Sequence, residues 1–195
     1  MPKIPVIYTH DECRRMVACC PKRYHSGRRA RAIIVLMWRC GLRVSEVCDV
    51  QIQDVDFEAA TIRIIGKGGK LRTVGIDDGT RFVLKAWIKI RNEKMYEGRE
   101  LERGFLICSR GAARLCRHGL YKLIRRVSTR AGIYPVKACH PHAFRHTHAM
   151  ELMEEGVPLN VIQQHLGHSN IQTTSIYLQG LRPEQVIGVV KKREW

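Results

Sequence analysis

Hydrophobic and polar positions alternate along this chain with two different periods. Thr9 followed by Glu12 forms a capping box that opens a short helix through "DECRRMVACC", ended by Pro21. In "GRRARAIIVLMWRC" the apolar residues are dense enough for a buried helix, with Gly41 as its C-terminal stop. The first turn of that segment is basic and suits either a solvated surface or a DNA-facing one. "VSEVCDV" predicts another short helix. The period changes at "TIRIIGKGGKLRTVGI", where two β-branched runs flank a glycine-rich turn, Gly66 to Gly69, and predict a hairpin. Helical spacing returns in "RFVLKAWIKIR", with Phe82, Leu84, Ile88 and Ile90 among basic residues. "GLYKLIRRVSTRAG" is an amphipathic basic helix ending at Gly132. From His142 onward the pattern is helical, broken at Gly156–Val157–Pro158 and again at Gly167. With no internal repeat and no interdomain linker, residues 1–195 read as one α+β domain, mainly α, carrying a small antiparallel sheet.

Composition agrees with a globular core and adds one unusual quantity. Of 195 residues 45% are hydrophobic, and 34 Lys plus Arg stand against 18 Asp plus Glu, a formal charge of +16. So large an excess favours a polyanionic partner, of which nucleic acid is the commonest; the alternative is a merely soluble basic surface. No segment is long enough to cross a bilayer, and Met1–Pro2–Lys3 leads into a polar capped segment instead of an apolar signal sequence. The cysteines, at positions 13, 19, 20, 40, 48, 108, 116 and 139, form no C-x-x-C pair. Most have apolar neighbours and read as buried, reduced thiols of an intracellular protein.

Four basic clusters carry candidate chemistry: "GLRVSE", "GKGGKLR", "HPHAFRHTH" and "LGH". Each has an ordinary explanation. Arg43 could cap a helix or lie on the surface, and a lysine at a hairpin tip, Lys67, is more often a solvated charge. His142 and His146 stand i, i+4 on a helix, as zinc ligands do. Against zinc, Arg145 lies between them and no acidic residue fills the intervening positions.

Taken together and in order, Arg43, Lys67, His142-x-x-Arg145, His168 and Tyr177 resemble the catalytic signature of the tyrosine recombinases, the phage-integrase family. "CGLRVSEVCDVQIQDVDFEAATIRIIGKGGKLRTV" is similar to that family's first arginine helix running into its β-hairpin lysine. "HPHAFRHTHAMELMEEGVPLNVIQQHLGHSNIQTTSIY" is similar to its second half, with H-x-x-R-H, L-G-H and a terminal tyrosine. The resemblance runs from about residue 5 to 180 and implies the family's catalytic fold. Two positions depart from it: Phe144 stands where the family usually has leucine, and Gln179 where it often has histidine. Of the six tyrosines, at 8, 24, 96, 121, 134 and 177, only the pattern after L-G-H selects Tyr177.

The reaction this resemblance implies is a DNA transesterification, and the residue types suit it. A phenol with a pKa of about 10 is a weak nucleophile at neutral pH unless a base or positive charge assists its deprotonation. In-line attack on a phosphodiester builds charge on the nonbridging oxygens, which planar guanidiniums from Arg43 and Arg145 can hold with paired hydrogen bonds. By resemblance, His168 donates a further bond and Lys67 protonates the departing 5′ oxygen. His142 assists proton removal from Tyr177, while Glu46 and His146 hold neighbouring groups in place. Because one phosphodiester replaces another, neither ATP, a metal nor another cofactor is expected.

The expected partner is double-stranded DNA, contacted by Arg28, Arg29, Arg31, Lys70, Arg72, Lys122, Arg125 and Arg126. The family's helical N-terminal clamp domain is absent from the chain, which reads as a fragment or as a short single-domain member similar to the fimbrial-switch inverting recombinases. Residues 183–195 are expected to form a helix that docks on a neighbouring protomer in a tetramer, or else packs on its own domain. Such a protein would be cytoplasmic and nucleoid-associated. A type IB topoisomerase, or a DNA-binding regulator that keeps the fold without reacting, are the competing readings.

Overall fold

A computed structural model describes residues 6–95, 104–109, 113–137 and 139–167, with Lys67, Lys94 and Met95 described by backbone alone. The helices are α1 His10–Ala18, α2 His25–Trp38, α3 Val44–Asp49, α4 Asp78–Met95, α5 Arg117–Arg130, α6 His142–Glu154 and α7 Leu159–Leu166. Three strands, β1 Val55–Asp56, β2 Thr61–Ile65 and β3 Leu71–Gly75, form one antiparallel sheet in sequence order.

Helix α2 is the hub. Its run from Ala32 to Trp38 is buried on every side, and it packs against α1, α3, α4, α5 and α6. An all-round apolar helix has to be surrounded in this way, since no face of it can be left to water. The capping box at Thr9 is present: the Thr9 hydroxyl accepts from the Glu12 N–H at 3.2 Å, and the Glu12 carboxylate accepts from the Thr9 N–H at 2.8 Å. Gly41 follows α2 at φ +63°, where a Cβ would also lie 2.6 Å from the His148 ring and 2.8 Å from a Leu166 methyl. Both strain and space demand glycine here, and this close approach brings α6 and α7 against the end of α2.

The hairpin has the expected form. Ile62 and Ile64 of β2 and Val74 of β3 point into the core, and the two strands pair from Thr61–Gly75 to Ile65–Leu71. Gly68 and Gly69 both take φ +76°, closing a single 3₁₀ turn, Lys67–Gly69. Helix α5 buries Leu120, Leu123, Ile124 and Val127, the i, i+3, i+4, i+7 stripe, and turns Lys122, Arg125 and Arg126 outward.

Phe144 is fully buried on α6, its ring 4.9 Å from that of Tyr8 and inclined at 57°. The aromatic thus fills a packing position beneath the N-terminal segment. Thr147, one turn on, accepts from the Tyr8 N–H at 3.1 Å and donates to the Tyr8 carbonyl at 2.7 Å. All eight cysteines are free thiols; five are buried and Cys116 is exposed. Cys116 departs from the buried pattern because it caps α5, its sulfur accepting from the Gly119 N–H at 3.3 Å. No helix among the described residues is long and apolar enough to cross a membrane.

Candidate active site

The C-terminal end of α7 gathers the charged groups. A helix ends with unsatisfied carbonyls and a partial negative charge. Here three successive carbonyls are each taken by a different arginine. Arg72 Nε donates to His165 O at 3.0 Å, Arg145 Nη2 donates to Leu166 O, and Arg43 Nη2 donates to Gly167 O at 2.9 Å. Gly167 takes φ +64° and turns the chain away from the helix.

Arg43 and Arg145 reach this point from distant parts of the sequence. Arg43 precedes the first turn of α3 and is half-buried. Arg145 lies on the inner face of α6, only 4% exposed, where its Nη1 also donates to Gly41 O at 2.6 Å. Two guanidiniums at one helix end make a compact positive site. It faces the turn that leads directly to residue 168.

Glu46 compensates part of that charge. It is 4% exposed and binds both Arg43 and Arg72. Arg43 contributes its backbone N–H at 2.7 Å and its Nη1 at 2.9 Å, and Arg72 contributes two parallel bonds of 2.8 Å. Burial alone would raise the carboxyl's pKa. The hydrogen bonds from Arg72 and the Arg43 backbone, with the charges of Arg72 and Arg145, outweigh it and hold the pKa at about 2.

The histidines lie in the same positive field, which here acts in the same direction as burial. His142, exposed at the start of α6, has its pKa lowered by partial desolvation and by the charges of Arg145 and Arg43. His146, half-buried one turn later, is lowered to about 4 by burial, then by His142 and Arg145. A neutral imidazole at His142 can accept a proton, which is the role expected of it from the family resemblance. His148 and His165 meet with their Nε2 atoms 3.1 Å apart, joining α6 to α7. Burial and the neighbouring imidazole lower His148 to about 3.

The structure thus brings together Arg43, Glu46, His142, Arg145 and His146. Lys67 lies at the hairpin tip, between β2 and β3, and His168 and Tyr177 lie outside the described residues. Of the residues expected at DNA, Lys70, Lys122, Arg125 and Arg126 are exposed, Arg125 stacking on the Tyr134 ring at 4.8 Å. The three α2 arginines are half-buried and donate to carbonyls of their own fold: Arg28 to Lys22 O, Arg29 to Cys108 O and Arg31 to Val17 O. Arg72, expected with them, points inward to Glu46. Strand alternation signals that placement, because Arg72 shares a strand face with the buried Val74 and pairs with Ile64. Sequence reasoning marked Gly41 as a helix stop but passed over its carbonyl, and the last carbonyls of α7, as acceptors for the arginines. Neither backbone group leaves a side-chain signature.

The sequence model of the phage integrase family matches residues 7–182. Among curated relatives, the tyrosine recombinase XerD of Oceanobacillus iheyensis is 31% identical over 175 residues, covering 90% of this chain and 58% of that protein. The tyrosine recombinase XerA of Thermococcus kodakarensis is 33% identical over 178 residues, 89% of this chain and 58% of its own length. Among solved structures, a XerA recombinase superposes with a TM-score of 0.81 at 27% identity, covering all of this chain and 68% of that one. The XerH site-specific recombinase bound to difH substrate in a pre-cleavage complex gives 0.78 at 25% identity, over 99% of this chain and 55% of that one. The chain therefore spans somewhat over half the length of the curated relatives it matches.

Proposed function

Because the chain belongs to the phage integrase family of tyrosine recombinases, we propose that it is a site-specific DNA recombinase acting on double-stranded DNA. The observation that carries this reading is the convergence of Arg43 and Arg145 on one helix end, beside His142 and next to the turn leading to His168. Relatives solved on DNA, such as the XerH–difH complex, support it.

In the proposed step the Tyr177 oxygen attacks phosphorus, its proton passing toward His142. The P–O5′ bond breaks and the 5′ oxygen takes a proton from Lys67, leaving a 3′-phosphotyrosyl link and a free 5′ hydroxyl. Arg43, Arg145 and His168 hold the nonbridging oxygens as charge builds on them. Their positive charge serves the role a metal ion would otherwise have, and the step is proposed without one. A 5′ hydroxyl from a second duplex reverses the chemistry and rejoins the strands, so bond energy is conserved throughout. Two strand exchanges between two duplexes need four such sites, and we assign the assembly as a homotetramer on DNA.

The test uses a pool of nicked, randomised duplexes, from which covalent adducts are recovered under denaturing conditions and sequenced. An adduct formed by the wild type and lost in Tyr177→Phe is expected, and the captured sequence defines the target site. A chain that captures no duplex contradicts the proposal. Strand exchange between two captured sites, as opposed to relaxation of one supercoiled circle, then separates recombinase from topoisomerase.

A further inference from the structure

We propose that Arg72 is a positioning residue for strand cleavage. It locks the hairpin that carries Lys67 to the Arg43 helix and to the turn entering His168. The proposal rests on the recombinase reading and assigns Arg72 a task other than touching DNA.

The geometry is a closed circuit. Arg72 comes from β3, five residues along the hairpin from Lys67, and its side chain is 11% exposed. Both terminal nitrogens bind the two oxygens of Glu46 at 2.8 Å, and Nε donates to His165 O at 3.0 Å. Glu46 in turn accepts from Arg43 at 2.7 and 2.9 Å, and Arg43 donates to Gly167 O at 2.9 Å. From β3 through α3 to the end of α7 and back, each link is a charge-assisted bond or a bond to a helix-terminal carbonyl. Of the three arginines that take the last α7 carbonyls, Arg72 alone belongs to the hairpin.

This circuit supplies what the hairpin lacks by itself. Its tip closes through the Gly66 N–H on Lys70 O at 2.8 Å, and two successive glycines at φ +76° follow Lys67. A general acid has to be held to within about an ångström of the departing oxygen. Tying β3 to the arginine site sets the hairpin in the same frame as the phosphate that Arg43 and Arg145 would hold. Arginine suits the task because its planar fork serves a carboxylate bidentately while Nε serves a third acceptor. A lysine ammonium cannot reproduce that arrangement.

Arg72→Gln and Arg72→Lys test it, the lysine variant keeping a cation against buried Glu46 should the glutamine variant fail to fold. Hydrogen exchange on the DNA-free chain comes first. Amides of residues 64–75 and 163–167 are expected to exchange about tenfold faster or more, with α2 unchanged. Unchanged exchange in both segments would overturn the lock. Cleavage is then measured on the captured duplex with an ordinary phosphodiester, and with sulfur replacing the 5′ bridging oxygen. The thiolate leaves without needing a proton. We expect a loss of about 100-fold on the ordinary bond. Most of it returns on the sulfur-substituted bond, while duplex affinity and its salt dependence stay at the wild-type level. An equal loss on both substrates overturns the link to Lys67. A salt slope reduced by about one identifies Arg72 as a phosphate contact and also overturns it. A wild-type chain that forms no adduct defeats the recombinase reading and the reaction role together, whereas failure of this proposal alone leaves wild-type cleavage intact.

Discussion

Arg145 and Glu46 show how one site can hold buried charges of both signs. Arg145 is satisfied by carbonyls, Gly41 O and Leu166 O, which leave its full positive charge available to a phosphate. Glu46 is satisfied by two arginines and lowers the local field without neutralising it. Replacing Arg145 with lysine keeps the charge but loses the fork. We expect cleavage of the captured duplex to slow by about 3–4 kcal/mol of transition-state stabilisation. Single-turnover rates would measure it, and a wild-type rate would remove Arg145 from the phosphate. His148 provides a second prediction at this scale. Its folded pKa of about 3 lies below the ordinary histidine value because burial and the His165 ring disfavour the cation. On acidification the unfolded chain takes up that proton first, so the contribution is whole above about pH 6.5 and declines as pH falls toward 3. By pH 5 the loss amounts to about 2 kcal/mol. Urea unfolding at pH 7 and pH 5 should show wild type losing more stability than His148→Gln, by about that amount. Equal losses would contradict the assignment.

At the level of elements, two basic helices that look alike in sequence do different things. The α2 arginines hold the fold, donating to carbonyls of α1, of α4 and of the loops beside them. The α5 residues Lys122 and Arg126 are exposed and have no such task among the described contacts. Arg29→Gln should therefore lower stability by about 1.5–3 kcal/mol, the worth of a hydrogen bond to a charged group, with little effect on the salt dependence of duplex binding. Neutralising Lys122 and Arg126 together should leave stability within about 0.5 kcal/mol and flatten the salt slope by about one per lost phosphate contact. Filter binding over a salt series, alongside urea unfolding, separates the two; reversed outcomes would exchange the roles. Periodicity made the elements themselves legible. The Thr9 capping box, the all-apolar α2, the hairpin across Gly66–Gly69 and the stops at Gly41, Gly132 and Gly167 are local signals, and local chemistry sets them. The gathering of Arg43, Arg72 and Arg145 on one helix end was legible only as a family likeness in two of its members. Its physical cause is the set of unpaired carbonyls at the end of α7, which depends on where that helix packs.

At the scale of the whole molecule, charge and the apolar C-terminal sequence bear on assembly. The formal charge of +16 opposes association of free chains and is relieved when they share a polyanion. Contact between protomers is therefore expected on DNA and not before it. In "PEQVIGVVKK" the apolar residues are Val186, Ile187, Val189 and Val190, which lie outside the described residues. Each valine or isoleucine fully buried is worth about 1.5–3 kcal/mol, enough for four to matter in a contact between protomers. Among the described residues, the core around α2 is covered by α1, α3, α4, α5 and α6. Deleting residues 183–195 should then leave a cooperatively melting monomer that still binds duplex. Sedimentation on the captured duplex should show loss of the proposed tetramer. A deletion product that no longer folds would mean that these residues pack on their own domain. A tetramer that survives the deletion would put the protomer contact elsewhere.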